Sequence, residues 1–293
     1  MYCILLAVER LIQVSDGWHP DGRRIGAKIG EMAYVVDAGG TGAPIVFLHG
    51  IMVSSWSWRH MITALHPEFR PVAICMRGFG WSDKPPGKYD IGVLGEHVMS
   101  VLDALHIERA YFVGNSLGGA VALRLALEYP RRVLRLALLA PAAVRLDHVS
   151  WLLPWQHRKL GPMYELVGKR EVYRRFLQVM AYGGKPVDDD TMHHFMEPLR
   201  SGDTVRVAAT ICRTLVQDAH YLLDHADQIT QKTLLCWGTR DGLVPIPLAR
   251  PLLARLPNVT FQRYRGIGHC PMEECPTQFA DDLTAFLREA PAA

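Results

Sequence analysis

Residues 111–119 read Tyr-Phe-Val-Gly-Asn-Ser-Leu-Gly-Gly, an apolar run that leads into a serine set between glycines. The run predicts a strand, and apolar residues at helical spacing over 117–128 predict a helix directly after it. In G-x-S-x-G the serine occupies a sharp strand-to-helix turn, where side chains at Gly114 and Gly118 would collide with neighbouring elements. Ser116 is therefore predicted to be an exposed nucleophile rather than an ordinary helix N-cap.

Two residues that lie much further along the chain provide the other groups that a nucleophilic serine requires. A serine hydroxyl needs a neighbouring base to take its proton, and His269 lies in a glycine-rich loop between the last predicted strand and the last predicted helix. Asp241, in a Gly-Thr-Arg-Asp-Gly turn after another apolar run, is predicted to orient the imidazole. The order Ser, Asp, His suits this kind of serine turn. Asp147 is a distant second choice for the acid, and the remaining histidines are predicted to be solvated or packed.

Backbone N–H groups at two turns are candidate donors to the oxyanion that forms during acyl transfer. Leu117 follows Ser116 and begins the helix whose unpaired N–H groups and positive dipole end face the site. Another apolar run ends in His49-Gly50, and the glycine lets the chain turn back over the site. Ile51 is the predicted second donor, and only its backbone takes part.

Short apolar runs alternate with segments of helical periodicity through much of the chain, which is typical of a doubly wound, mostly parallel α/β sheet. Several runs are continuously apolar, as expected for strands buried on both faces. The predicted strands span 32–36, 45–49, 70–75, 110–113, 133–139, 234–237 and 260–264. The predicted helices span 94–105, 117–128, 248–256 and 277–287.

Residues 144–228 break this alternation, because strand-like runs give way to amphipathic helical segments. We predict a helical cap here, inserted into an α/β core that comprises residues 1–143 and 229–293. Such a cap would overhang the carboxyl ends of the strands, where open α/β sheets bind ligands. Its aromatic side chains indicate an apolar substrate pocket, although packing of the cap onto the core explains each of them equally well. They are Trp151, Trp155, Tyr164, Phe176, Tyr182 and Phe195.

The composition is that of an ordinary folded domain. Of 293 residues, 49% are hydrophobic and 21% charged, so one large domain with an insertion is expected and disorder is not. The formal net charge of +3 lacks the basic clustering that a nucleic acid partner requires. No apolar run reaches the ~20 residues of a membrane span. We expect no metal and no cofactor, since the cysteines lack zinc-type spacing.

The cysteines and the first residues bear on the cellular compartment. Scattered cysteines without paired spacing favour a reducing, cytoplasmic location, and a disulfide between Cys270 and Cys275 is a disfavoured alternative. Residues 1–14 are apolar but lack a basic leader and a small-residue cleavage site, so a signal peptide is not expected. A strand or docking helix is favoured there, with weak association at a membrane surface left open. The oligomeric state is not predicted.

Together these motifs resemble the α/β-hydrolase superfamily over nearly the full chain. The His49-Gly50 loop, the Met-Arg-Gly-Phe-Gly-Trp-Ser-Asp loop at 76–83, the serine turn, the Gly-Thr-Arg-Asp-Gly turn and the Gly-His-Cys-Pro loop occur in the family's order. The resemblance implies the fold and the Ser-His-Asp triad. Cys75 departs from the pattern, because relatives often carry an aspartate there; that position is structural in those relatives.

The resemblance also limits the reactions that the chain is expected to catalyse. A serine at the turn separates the chain from epoxide hydrolases and haloalkane dehalogenases, which carry an aspartate. The Gly-Asn-Ser turn is similar to that of meta-cleavage product hydrolases, which split vinylogous diketones. Those relatives usually have tryptophan after the histidine and a Ser-Gly-Pro type oxyanion loop, whereas this chain has Cys270 and Ile-Met-Val at 51–53.

On these grounds we expect a carboxylesterase or lipase-like enzyme that acts on a small apolar ester through an acyl-enzyme. Carbon–carbon hydrolysis of the meta-cleavage type is an alternative, and so are cofactor-free perhydrolase, thioesterase and acyltransferase activities. A ligand receptor without catalysis is disfavoured, because such proteins can lose a triad residue without penalty and this chain has all three.

Overall fold

The computed structural model describes residues 12–13, 19, 22–27, 31–145, 169–199 and 202–289, and nine strands in these residues form one sheet. The strands are β1 (Ile12–Gln13), β2 (Gly22–Gly26), β3 (Met32–Asp37), β4 (Pro44–Leu48), β5 (Arg70–Ile74), β6 (Ala110–Asn115), β7 (Val133–Leu139), β8 (Thr233–Gly238) and β9 (Val259–Tyr264). Their order is β1-β2-β3-β5-β4-β6-β7-β8-β9. Pairing is antiparallel from β1 to β5 and parallel from β5 to β9, which confirms the mostly parallel α/β fold.

Helices connect the parallel strands. Those in the described residues are α1 (Arg59–Leu65), α2 (Ile91–Ala104), α3 (Leu117–Glu128), α4 (Arg170–Phe176), α5 (Asp189–Met196), α6 (Asp203–Asp224), α7 (Arg250–Leu253), α8 (Pro271–Glu274) and α9 (Pro276–Arg288). The helix predicted at 248–256 is shorter, because a 3₁₀ turn over Ile246–Ala249 precedes α7 and Pro247 and Pro251 lack the N–H that a continuous helix needs. Each described helix is too short or too polar to cross a lipid bilayer.

The apolar strands occupy the centre of the molecule. Every residue of β8 is buried, and so are all residues of β4 after Pro44, as continuous apolar runs require in a sheet covered on both faces. Helices α2 and α3 pack together, as do α1 and α9. The antiparallel edge was not fully predicted: β2 is Gly-Arg-Arg-Ile-Gly, whose charges hide the strand pattern.

The carboxyl ends of the central strands lie at one edge of the sheet. Leu48 pairs with Gly114, and Leu139 pairs with both Asn115 and Cys236. The loops that follow β4, β6, β7 and β8 therefore leave the sheet side by side. This alignment brings together segments that lie far apart in the sequence.

Between β7 and β8 the described residues, 140–145, 169–199 and 202–232, form helices joined by turns and loops, without a strand. Trp151, Trp155, Tyr164 and the alternative acid Asp147 lie outside the described residues. The boundaries of the cap, 144 and 228, and of the core stay a prediction. Residues 1–14 are likewise outside, apart from the short strand β1.

A shared carboxylate ties three strands of the antiparallel edge. Asp37, at the end of β3, accepts hydrogen bonds from Arg70 Nη2 on β5 at 2.7 Å and from Arg23 Nη2 on β2 at 3.0 Å. Burial by itself would raise the pKa of Asp37, but the hydrogen bonds and positive charge of Arg70, with a smaller contribution from Arg23, hold it below its ordinary value.

We expect Asp37→Asn to lower the free energy of unfolding at pH 7 by about 1–2 kcal/mol, because two partly exposed guanidinium groups lose a charged acceptor. A lowered carboxyl pKa stabilises the fold above the unfolded-state pKa, and that contribution disappears as the pH falls through the folded-state pKa. Urea unfolding of both proteins at pH 7 and at about pH 3 measures this. The difference should shrink at the lower pH; an equal difference at both pH values would contradict the assignment.

Candidate active site

Ser116 sits in a strained turn between β6 and α3. Its backbone has φ 53° and ψ −114°, a sparsely populated conformation for a residue with a side chain, which costs roughly 1–3 kcal/mol. The side chain is half-buried rather than fully exposed. A Cβ at Gly114 would overlap the Gly118 carbonyl, and a Cβ at Gly118 would overlap the Leu48 carbonyl of β4. Both glycines are thus required by close backbone contacts, as the sequence predicts.

Asp241 and His269 form a buried hydrogen-bonded pair. His269 Nδ1 lies 2.6 Å from Asp241 Oδ2, and both side chains are almost fully buried. The other carboxylate oxygen accepts from the N–H groups of Leu243 at 2.9 Å and Val244 at 2.8 Å. Since an ionised carboxylate only accepts, Nδ1 carries the proton and Nε2 is left as the free acceptor of the ring. This arrangement orients an imidazole to act as a base.

A residue of β8 stabilises the loop that carries Asp241, residues 239–245, which we call the acid loop. Trp237, fully buried on β8, donates from Nε1 to the Val244 carbonyl at 2.8 Å. Val244 therefore donates to the carboxylate of Asp241 and accepts from the sheet, which closes the loop on itself. From the sequence Trp237 was only part of an apolar run, because its role depends on a contact seven residues away.

Asn115 joins the serine turn to the histidine loop. Its buried side chain donates from Nδ2 to the His269 carbonyl at 3.0 Å and to the Leu139 carbonyl at 3.2 Å. The residue before Ser116 is therefore hydrogen-bonded to the backbone of His269, 154 positions away. Asn115 had no predicted role. The one available signal was a polar residue inside the otherwise small and apolar turn.

His49 braces the turn that carries the predicted second oxyanion donor. Its Nδ1 donates to the Gly50 carbonyl at 2.7 Å, and its Nε2 accepts from Met76 N–H at 3.1 Å. Complete burial lowers the pKa of His49 to about 4, so the ring is neutral at pH 7. A Cβ on Gly50 would lie 3.6 Å from Ser116 Cβ, which places this turn directly against the serine. Ile51 follows it, half-buried.

Leu117 is the first residue of α3, so its N–H is one of the donors that an α-helix leaves without an internal partner. The structure thus brings the turns of both predicted donors to Ser116. Their action on an oxyanion stays a prediction.

Glu274 fastens the histidine loop and was also missed from the sequence. Its carboxylate accepts from Gly268 N–H at 2.9 Å and from Cys270 N–H at 3.2 Å, on both sides of His269. Burial raises the pKa of Glu274 despite these bonds. Cys270 and Cys275 are both free thiols, so the alternative of a disulfide between them is not realised.

The described cap aromatics are buried or half-buried and contact other aromatic side chains or the core. Phe195 is buried and contacts Trp56 edge-on at 5.9 Å between ring centroids. Tyr182 is buried, and Phe176 is half-buried beside Tyr173. These contacts agree with packing of the cap onto the core, and a pocket role of the aromatic residues stays a prediction.

We expect Asn115→Ala to lower the free energy of unfolding by about 1–3 kcal/mol, because the His269 carbonyl loses its Asn115 donor and the Leu139 carbonyl loses one of its two donors. Asn115→Asp should cost more at pH 7, since a carboxylate of nearly the same shape presents only acceptors to those carbonyls. Protonation of the aspartate at low pH should recover part of the difference. Denaturant unfolding at pH 7 and pH 4 tests this order, and equal effects of the two substitutions would contradict the bridging role.

Comparison with known proteins agrees with this fold. A family model described as alpha/beta hydrolase fold matches residues 43–179. The chain is 30% identical over 263 residues to 2-hydroxymuconate semialdehyde hydrolase of Pseudomonas sp. (strain CF600), a match that covers 87% of this chain and 90% of that protein.

Comparison with solved structures supports the same fold. A mutant of CumD, a meta-cleavage product hydrolase, superposes with a TM-score of 0.79 at 27% identity and covers 92% of this chain and 98% of its own. A bacterial membrane phospholipase A superposes with a TM-score of 0.74 at 25% identity and covers 91% and 85%. With its parallel sheet, strained serine turn and buried aspartate–histidine pair, the chain belongs to the α/β-hydrolase superfamily.

Proposed function

We propose that this α/β-hydrolase uses Ser116 as nucleophile, His269 as general base and Asp241 as the acid that orients it. The observation that carries the proposal is the 2.6 Å contact between His269 Nδ1 and Asp241 Oδ2, in a loop that Asn115 fastens beside the serine turn. A buried histidine paired in this way has one free ring nitrogen, and a serine held in a strained turn next to it is the group from which that nitrogen can take a proton.

The reaction would proceed in two halves. Ser116 Oγ attacks a substrate carbonyl while His269 takes its proton, and the oxyanion is stabilised by the N–H groups of Ile51 and Leu117. The bond to the leaving group breaks, and His269 gives its proton to that group. Water then attacks the acyl-enzyme with the same base, and the product acid leaves.

For the substrate we propose a vinylogous diketone, in which a carbon–carbon bond next to the attacked carbonyl is cleaved. This preference rests on the relatives, because a protein named 2-hydroxymuconate semialdehyde hydrolase is 30% identical over 87% of this chain. In such a substrate the second, conjugated carbonyl can accept the electron pair of the breaking bond. The leaving carbon is therefore protonated as part of a stabilised enolate, and the same triad chemistry applies. This proposal reverses the ester preference drawn from sequence.

Ester hydrolysis is the second candidate. It is favoured by Cys270 and by the Ile-Met-Val loop at 51–53, which depart from the residues usual in carbon–carbon hydrolases of this type. The structural neighbour titled a membrane phospholipase A, at 25% identity, also acts on ester bonds by its name. A triad has no intrinsic preference between an ester bond and this carbon–carbon bond, so the residues around the substrate determine which bond is cleaved.

We expect the wild type to hydrolyse 2-hydroxymuconate semialdehyde faster than p-nitrophenyl acetate or butyrate at equal concentration. Ser116→Ala should abolish both activities, and Asp241→Asn should lower kcat by about 10³–10⁴-fold, because it presents the wrong partner to Nδ1. Loss of substrate absorbance and release of p-nitrophenolate measure the two reactions. Faster ester turnover that depends on Ser116 would favour the second candidate, and turnover retained in Ser116→Ala would exclude the triad.

A further inference from the structure

The segment that directly follows helix α4 has an unusual backbone. Leu177–Ala181 forms a π-helical turn, in which Tyr182 N–H bonds the Leu177 carbonyl at 2.9 Å. Single π turns inside helices often occur at functional sites. Gly183, with φ +57°, and Gly184, with φ +91°, then end the helix.

The end of this helix leaves two carbonyls without a partner inside the helix, as helix C-termini do. In a continuing α-helix Gly184 N–H would bond the Met180 carbonyl and Lys185 N–H the Ala181 carbonyl. Instead Gly184 N–H bonds the Gln178 carbonyl at 2.8 Å, and Lys185 N–H bonds the Tyr182 carbonyl at 2.8 Å. The Met180 and Ala181 carbonyls are thus left for partners outside the helix.

Those partners are the acid loop, which carries Asp241, and the loop that carries His269, residues 265–270, which we call the base loop. The Met180 carbonyl accepts from Gly242 N–H at 3.0 Å, one residue after Asp241, and the Ala181 carbonyl accepts from the N–H of His269 itself at 2.5 Å. The backbones approach so closely that a Cβ on Gly268 would overlap Ala181.

Side chains extend the same contact. Lys185 Nζ donates to the Glu274 carbonyl at 3.3 Å, on the helix that follows the base loop. Tyr182, itself buried, lies against Glu273 of that helix, and burial raises the pKa of both groups. A single short segment of the cap thus contacts the loops of both proposed acid–base partners.

We propose that residues 180–183 are a positioning segment, whose backbone sets the geometry of the Asp241–His269 pair and couples it to the position of the cap. The inference rests on the proposed function of that pair. Because both loops bond adjacent carbonyls of one turn, a displacement of the turn moves them together or apart. A shift of a few tenths of an ångström in the base is enough to slow proton transfer several-fold, since a misplacement of ~1 Å costs about 10²-fold.

Two neighbouring glycines offer a matched test. A Cβ at Gly183 would lie 3.0 Å from Gly268 N and push on the base loop, whereas a Cβ at Gly184 meets nothing within 4 Å. Backbone strain predicts the opposite order, because φ +91° suits alanine less well than φ +57°. If contact with the base loop matters, Gly183→Ala is the damaging change; if only helix termination matters, Gly184→Ala is.

The readouts are the rate at which a fluorophosphonate phosphonylates Ser116, and the downfield proton resonance of His269 Nδ1–H in the hydrogen bond to Asp241. We expect Gly183→Ala to slow labelling by roughly three- to tenfold and to shift the resonance, with Gly184→Ala within about twofold of wild type. Melting temperatures of both variants identify any general loss of stability. Unchanged labelling and resonance in Gly183→Ala, or a larger effect in Gly184→Ala, would overturn the proposal.

Labelling of the wild type separates this inference from the proposed function, and amide hydrogen exchange replaces the variant if it does not fold. A folded wild type that the fluorophosphonate does not label would contradict the nucleophilic role of Ser116, while the resonance would still report on positioning. If Gly183→Ala does not fold, amide hydrogen exchange of the wild type decides. Slow exchange at the N–H groups of Gly242 and His269 supports the two bonds to the cap, and exchange at the rate of free amides refutes them.

Discussion

The close approach of backbones around the serine turn is the constraint on which the site depends. Ser116 cannot hold its own strained conformation, so the surrounding contacts must impose it. Gly118 lies directly against the carbonyl end of β4, and Gly114 lies against the start of α3. The Ser116 N–H also bonds the Leu139 carbonyl of β7 at 2.9 Å. The turn is thus held from both neighbouring strands, and the strain is offset by packing and hydrogen bonds elsewhere.

A second layer of hydrogen bonds converts the ends of separate strands into one site. Asn115 bonds the base loop, Trp237 bonds the acid loop, and Glu274 closes the base loop on itself. All three are buried or partly buried, so a lost bond would leave an unsatisfied polar group rather than a hydrated one. The imidazole of His269 is therefore oriented by its surroundings before any substrate binds, as the proposed role of a general base requires.

The fold and the bond that is cleaved are separate questions. The serine turn and the acid–base pair are suited to attack on a carbonyl, whether the leaving group is an alcohol or a carbon atom that forms an enolate. Selectivity between the two bonds depends on the residues that surround the substrate. The cap also contacts the acid and base loops through the π turn at 177–181. In the proposed positioning role, a change in this segment would alter the rate through these two loops.

Local patterns in the sequence were enough to predict the parallel sheet and the serine turn. They also singled out Asp241 and His269, which the structure pairs, while the catalytic roles of these residues and of Ser116 stay a prediction. Continuous apolar runs report burial on both faces, and a glycine at a tight turn reports a steric limit that acts within a few residues. Such patterns could not predict the contacts of Asn115, Trp237 and Glu274. Nor could they predict the hydrogen bonds that the Met180 and Ala181 carbonyls accept from Gly242 and His269. Each depends on a partner brought close by the folding of the whole chain, and a hydrogen bond between distant residues leaves no periodicity in a single sequence.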